Sequence, residues 1–309
     1  MAGYALIVKT HFWDQYVQRQ FDRLRGHCRD ADIYIQVDDS NGRVEGIDHD
    51  KIMRFTIEQT AEMGLPSDAN IGPVLWYNGD YPMYAFYEAY PQYASYLFLE
   101  YDVTTNVDLD RMVQSADADR VDFVAQFRDA PIDDWYWTER HQTLYAPEQM
   151  KETLFCLCYV SRPALHFLYQ KRLEMAALLA ANQLPMWPFC EVFLGAELSA
   201  AGFRLRDLSA YGDTSDYDHW PPYRENDLAS LPGNAFMHPV LDDARYVVSL
   251  LKHGPMKYFK PGNVVGRKLR RMPAHKYVPA LSASIMRKIQ ETISTTLSGR
   301  AGASSSRRM

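Results

Sequence analysis

The chain holds 309 residues, enough for one large α/β domain or two small ones, and its 47% hydrophobic and 23% charged residues are ordinary for a soluble globular protein. No stretch approaches the roughly 20 consecutive apolar residues of a membrane span, so no spanning helix is expected. The formal net charge of −6 argues against a nucleic-acid partner, because an acidic body repels phosphates.

The N-terminus has no basic leader and only a short apolar run, so it does not read as a signal peptide; a cytoplasmic protein is expected. Residues 4–9 suit a buried first strand, 13–28 a helix of mixed polarity, and 32–37 a second strand that ends in the acidic, turn-rich loop 38–42. Residues 52–63 read as a helix. An aromatic loop at 74–82 leads into another helix at 83–88. Residues 96–100 form an apolar strand whose exit is Tyr101, Asp102 and Val103. Strands at 121–126 and 154–160 follow, and Ser161, Arg162 and Pro163 open a long helix over 164–181. Strands alternating with helices predict an α/β fold with an open, mainly parallel sheet flanked by helices. Cys28, Cys156, Cys158 and Cys190 are scattered; they fit a reducing compartment and read as small buried hydrophobes.

The net charge conceals an asymmetry. From Lys252 onward there are 13 basic residues and one acidic residue, Glu291, whereas residues 1–251 carry a formal charge of −18. This divides the chain into a body, 1–251, and a basic extension, 252–309. In the extension Leu281, Ile285, Ile289, Ile293 and Leu297 recur every fourth residue, the spacing of an apolar helical stripe. Such a helix docks on an anionic membrane surface, binds a partner, or packs on its own domain. Residues 299–309 are small, polar and basic and are expected to be disordered.

In an open α/β sheet, ligands gather where strands end. The loop at Asp38 and Asp39 and the turn at Glu100, Tyr101 and Asp102 both leave strand ends. Residues two apart in extended chain point the same way, so the Glu100 and Asp102 carboxylates can converge on one hard cation, Mg²⁺ or Mn²⁺. An acidic pair at a strand end is by itself a weak signal.

Its context is more specific. The run Trp76, Tyr77, Asn78, Gly79, Asp80, Tyr81, Pro82, followed by residues 96–103, resembles bacterial GT-A nucleotide-sugar transferases. The motif of that family is an aspartate-any-aspartate triplet or a glutamate variant. The resemblance implies a Rossmann-like GT-A domain in which Glu100 and Asp102 hold a metal against the donor diphosphate, with Tyr101 beside the nucleotide. Residues 187–197 look like the acceptor-side region of these enzymes; there Glu191 matches a general base, and Glu197 is the weaker candidate. His238, in the stretch 235–240, is similar in placement to a histidine returned to the metal or diphosphate. Base and ribose contacts are implied at Lys9, Thr10 and His11, and at Asp38 and Asp39. Asp80 is a further candidate for nucleotide or sugar, and Trp76 or Tyr77 for stacking.

The expected activity is transfer of a sugar from a nucleotide-diphosphate donor to a hydroxyl, on a glycan or a lipid-linked glycan, as in polysaccharide biosynthesis. The basic tail suggests peripheral contact with the inner face of a membrane. An inverting reaction requires the base; a retaining one gives Glu191 another role. Two rivals remain at the level of sequence: a sugar-phosphate nucleotidyltransferase, against which stands the lack of a glycine-rich phosphate loop, and a non-catalytic carbohydrate- or nucleotide-binding protein.

Overall fold

The computed structural model, which describes residues 3–68, 72–128, 134–230, 233–252 and 254–305, is an α/β chain built on a seven-stranded, mainly parallel sheet. In chain order it runs β1 (Tyr4–Thr10), α1 (Gln15–Arg25), β2 (Asp32–Asp38), β3 (Ile52–Phe55), α2 (Ile57–Glu62), α3 (Val74–Tyr77), α4 (Tyr81–Ala89), β4 (Ser95–Glu100), β5 (Thr104–Thr105), α5 (Leu109–Ala118) and β6 (Phe123–Phe127). It continues with α6 (Tyr136–His141), β7 (Thr153–Ser161), α7 (Arg162–Ala180), α8 (Cys190–Ala200), β8 (Leu205–Asp207), β9 (Asp213–Tyr217) and β10 (Tyr223–Arg224). The last elements are β11 (Ala235–His238), β12 (Val240–Leu241), α9 (Asp243–Lys252), α10 (Val264–Leu269) and α11 (Ala274–Ser305).

The sheet order is β3-β2-β1-β4-β7-β6-β8, and every neighbouring pair is parallel except the two that involve β7. Both faces of the sheet are covered, so its central strands read as continuous apolar runs instead of alternating ones. Ala5, Ile7, Phe98 and Val160 face one core with residues of α4, α7 and α8. Leu6, Val8, Leu97, Leu99 and Leu157 face a second core with residues of α1 and α5.

Most expected elements recur, but residues 74–77, expected to be loop, form the short helix α3. Residues 52–63, expected to be a single helix, divide into β3 and α2. Ile52 to Phe55 pair in parallel with Ile35 to Asp38, and a capping box between Thr56 and Gln59 starts the helix only afterwards. Tertiary pairing overrides local pattern there.

The chain forms two compact units, one of residues 1–218 and 232–238, the other of 219–231 and 239–309. The change of charge at residue 251 is therefore compositional: α9 belongs to the second unit, with α10 and α11. Within that unit Arg224 and Lys276 both pair with Asp243. The stripe on α11 is buried at Leu281 but 46% exposed at Ile289; Ile293 and Leu297 fall where side chains are outside the described residues. The helix continues through Ser305, so 299–305 are helical where disorder was expected; after Pro279 no proline interrupts it. Residues 306–309 lie outside the described residues. No described helix is long and apolar enough to cross a membrane.

Candidate functional site

The register of the sheet assembles the site. Thr10 pairs with Val37, Lys9 with Glu100 and Asp38 with Phe55, so β1, β2, β3 and β4 all end at one edge. There a cleft of about 270 Å³ is lined by Lys9, Thr10, His11, Gln36, Asp38, Phe55, Leu75, Trp76, Gly79, Pro82, Glu100 and Tyr101. Phe55, Leu75, Trp76 and Pro82 give it apolar walls. Tyr101 meets His11 and Phe12 edge-to-face, at ring centroid separations of 5.6 and 4.9 Å.

A second small sheet, β5-β11-β9, carries His238 to the same edge. The chain leaves β4 at Glu100, turns, and enters β5, whose Thr104 pairs with Met237. His238 thereby faces Asp102, with Nε2 at 3.5 Å from Oδ1. Its Nδ1 lies 2.9 Å from the Asp218 carbonyl, an acceptor, so Nδ1 carries the proton and Nε2 presents its lone pair in the neutral ring. Burial disfavours the imidazolium, but Asp102 and Glu100 outweigh it and raise the His238 pKa.

Asp102 Oδ1 is buried without a hydrogen-bond partner among the described residues. An orphaned carboxylate oxygen is costly, and it is rare unless a ligand or ion completes it. The residues present fit a divalent cation: two carboxylates, from Asp102 and Glu100, and the His238 imidazole, whose Nε2 faces Asp102. Lys9 Nζ lies 3.5 Å from Glu100 Oε1; burial opposes its charge, but Glu100 more than compensates and holds it protonated. A ligand of Glu100, Cys156 and His238 each lies within 4.8 Å of the other two.

Glu191 sits in the first turn of α8, facing this cluster. Among the described residues no hydrogen bond or ion pair engages its carboxylate. Burial, then Glu100 and Glu152, push its carboxyl up to about 8, against the opposite pull of Arg128 and His238. Glu152 is itself raised by burial, although Arg128 pairs with it at 3.1 Å. The sign of the consequence follows from proton counting. Between about pH 4.5 and 8 the folded state keeps a proton that the unfolded state has lost, so stability falls as pH rises through that window. In chelator, Glu191→Gln should therefore be more stable than the parent at pH 8, by on the order of a few kcal/mol, and level with it at pH 4.5. Parallel pH–melting curves for the two proteins would contradict this.

The structure separates the candidates sharply. Thr10, His11, Asp38, Trp76 and Tyr101 line the cleft, and Glu100, Asp102, His238 and Glu191 cluster at its end. Asp80 does not join them. It is fully buried, paired with Arg172 at 2.8 and 3.2 Å and accepting from the Tyr84 hydroxyl. Tyr77 is buried too, donating to the Trp187 carbonyl, while Trp187 Nε1 donates to Asn78. The aromatic loop and the start of α8 are thus bolted together. Asp39 is also structural: it accepts from Arg54 and from the Val44 N–H, which outweigh burial and hold its carboxyl below the usual range. Glu197 accepts from Tyr145 in the core.

Sequence reasoning missed Gln36, Arg128, Glu152 and Cys156. Gln36 is fully buried in β2 and lines the cleft; its amide donates to the Pro82 carbonyl at 2.7 Å, and among the described residues its buried Oε1 has no hydrogen-bond partner. A glutamine at an inward position of an apolar strand was the available signal. Cys156 had no local signal. Regular pairing of β7 with β4 ends at Leu157, and its register against β6 shifts between Val124 and Gln126, whose partners are Tyr159 and Leu154. Such irregularities re-aim side chains.

No protein-family model matches this chain, and no curated protein matches it either.

Proposed function

We propose that this chain is a cation-dependent transferase of the GT-A type that moves a sugar from a nucleoside-diphosphate donor to a hydroxyl acceptor. One observation carries the reading: the Glu100–Asp102 turn and His238 converge at the end of an apolar-walled cleft, with one Asp102 oxygen buried and, among the described residues, making no hydrogen bond. A divalent cation bound there, Mn²⁺ or Mg²⁺, would neutralise charge developing on the departing diphosphate.

The remaining work falls to the chain's own groups. Glu100, Asp102 and His238 would hold the cation, and Lys9 would add a positive charge beside it. Trp76, Phe55, Leu75 and Pro82 form walls against which a base can lie, and Gln36 Oε1 accepts from a ring N–H. Thr10, His11, Asp38 and Tyr101 surround the ribose. Glu191 takes the acceptor proton. Burial first, and then Glu100 and Glu152, raise its carboxyl to about 8, so it becomes a base only as pH rises toward that value.

The acceptor in this reading is a glycan or lipid-linked glycan at a membrane surface. In the C-terminal unit Met256 and Phe259, 54% and 56% exposed, alternate with Lys257 and Lys260, the pairing of apolar wedge and positive charge that anionic interfaces attract. Full-length protein should sediment with anionic but not zwitterionic vesicles, and Met256→Ser/Phe259→Ser should weaken that binding about tenfold. Equal binding to both vesicle types would remove the membrane from the account.

A panel of nucleotide sugars tests the activity. One donor class should release nucleoside diphosphate, and chelator should suppress the release. Pyrophosphate release from a nucleoside triphosphate and a sugar phosphate would indicate a nucleotidyltransferase instead. Binding without turnover, indifferent to chelator, would indicate a carbohydrate- or nucleotide-binding protein.

A further inference from the structure

The cluster at the cleft end contains a donor foreign to a hard-cation site. Cys156 comes from β7, Glu100 from the end of β4 and His238 from the end of β11, and their ligand atoms lie within 4.8 Å of one another. A four-coordinate cation with bonds of about 2.0–2.3 Å spaces its ligands roughly 3.3–3.8 Å apart, so small side-chain rotations close the remaining distance. Cys156 differs from the other three thiols, which are all buried; it alone among them is partly accessible, and no hydrogen bond engages it among the described residues. The irregular register of β7 places it there. Cys158, two residues on and regularly paired with Phe98, lies fully in the core.

Donor chemistry then selects the ion. Mg²⁺ demands near-octahedral oxygen coordination, whereas two carboxylates, one imidazole and one sulfur form a mixed donor set that suits a borderline divalent ion. We propose that Cys156 is a direct ligand of the cation, and that the site takes a thiophilic divalent ion of the Zn²⁺ or Co²⁺ kind in preference to Mg²⁺. This deepens the cation-site reading above and rests on it. Binding converts the thiol to a metal-bound thiolate; the S–H proton passes to solvent as the sulfur–metal bond forms, with no change of oxidation state.

Cobalt reports the bond directly, because Co²⁺ bound to thiolate absorbs in the near ultraviolet by sulfur-to-metal charge transfer. Freshly reduced full-length protein, freed of reductant and chelator, should develop this band with Co²⁺ and saturate at one ion per chain. Equimolar Zn²⁺ should abolish the band, and a hundredfold excess of Mg²⁺ should leave it. Cys156→Ser should lack it while retaining Cys28, Cys158 and Cys190; Cys156→Ala carries the same comparison should the serine variant not fold. A band that survives in the folded variant, Co²⁺ binding without a band, or displacement by Mg²⁺ would overturn the assignment. None of these results would by itself touch the transferase reading, which turns on cation-dependent nucleotide binding and turnover. Loss of that dependence with an intact sulfur band would sink the transferase reading and spare the metal site.

Discussion

An Asp80→Ala variant is expected to melt on the order of 10 °C below the parent, an effect of folding and not of ligand binding. Asp80 and Arg172 are both fully buried, and Arg172 also donates to the Pro188 carbonyl and lies 3.8 Å from the Phe193 ring centroid. Truncating Asp80 leaves a guanidinium in the core without its counter-charge, which costs about 3–5 kcal/mol. Replacing both charges, as Asp80→Leu/Arg172→Met, should recover much of the loss, because the desolvation of the pair is removed along with its attraction. Breaking the partly exposed Asp39–Arg54 pair should cost less, about 1 kcal/mol. Calorimetry on the four proteins decides the matter. A normal melting temperature in Asp80→Ala, together with weakened nucleotide binding, would return this residue to the ligand site.

Asp102→Asn and His238→Ala should have the opposite profile, with folding intact and cation-linked binding lost. His238 lies at 3.5 Å from an Asp102 oxygen that makes no hydrogen bond among the described residues. Losing an outer-shell partner of a metal ligand typically costs 10–100-fold in affinity or activity, so loss of the ligand itself should cost at least that. Asp102→Asn should also lower the His238 pKa, because the carboxylate that favours its imidazolium is gone. Turnover and cation titrations on both variants check the claim; near-parental values in either would remove that residue from the centre.

The contrast between Asp80 and Asp102 shows what the sequence could convey. Residues 96–102 announce themselves, because a fully apolar strand that ends in two carboxylates has no need of them for its own folding. The end of β2, at Asp38 and Asp39, was legible for the same reason. The aromatic stretch 76–82 is equally conspicuous, yet much of its distinctiveness is structural: Asn78 answers Trp187 and Asp80 answers Arg172, partners about a hundred residues away that no local pattern identifies. Residues 52–55 were misread because four apolar and basic residues suit either element until β2 supplies a partner. His238 could be suspected from its setting, but its approach to Asp102 depends on the pairing of two short strands. Cys156 was hidden altogether, since register along β7 is set by neighbours and not by its own residues.

Isothermal titration of a nucleoside diphosphate into the reduced full-length protein, with divalent cation and then with chelator, tests the central claim most directly. If Glu100, Asp102 and His238 hold a cation against a diphosphate, one nucleotide class should bind at least tenfold more tightly with cation, a coupling of about 1.4 kcal/mol or more, and Asp102→Asn should abolish the difference. Affinity unchanged by chelator in a folded protein would contradict the account and leave the cleft as a site for some other ligand.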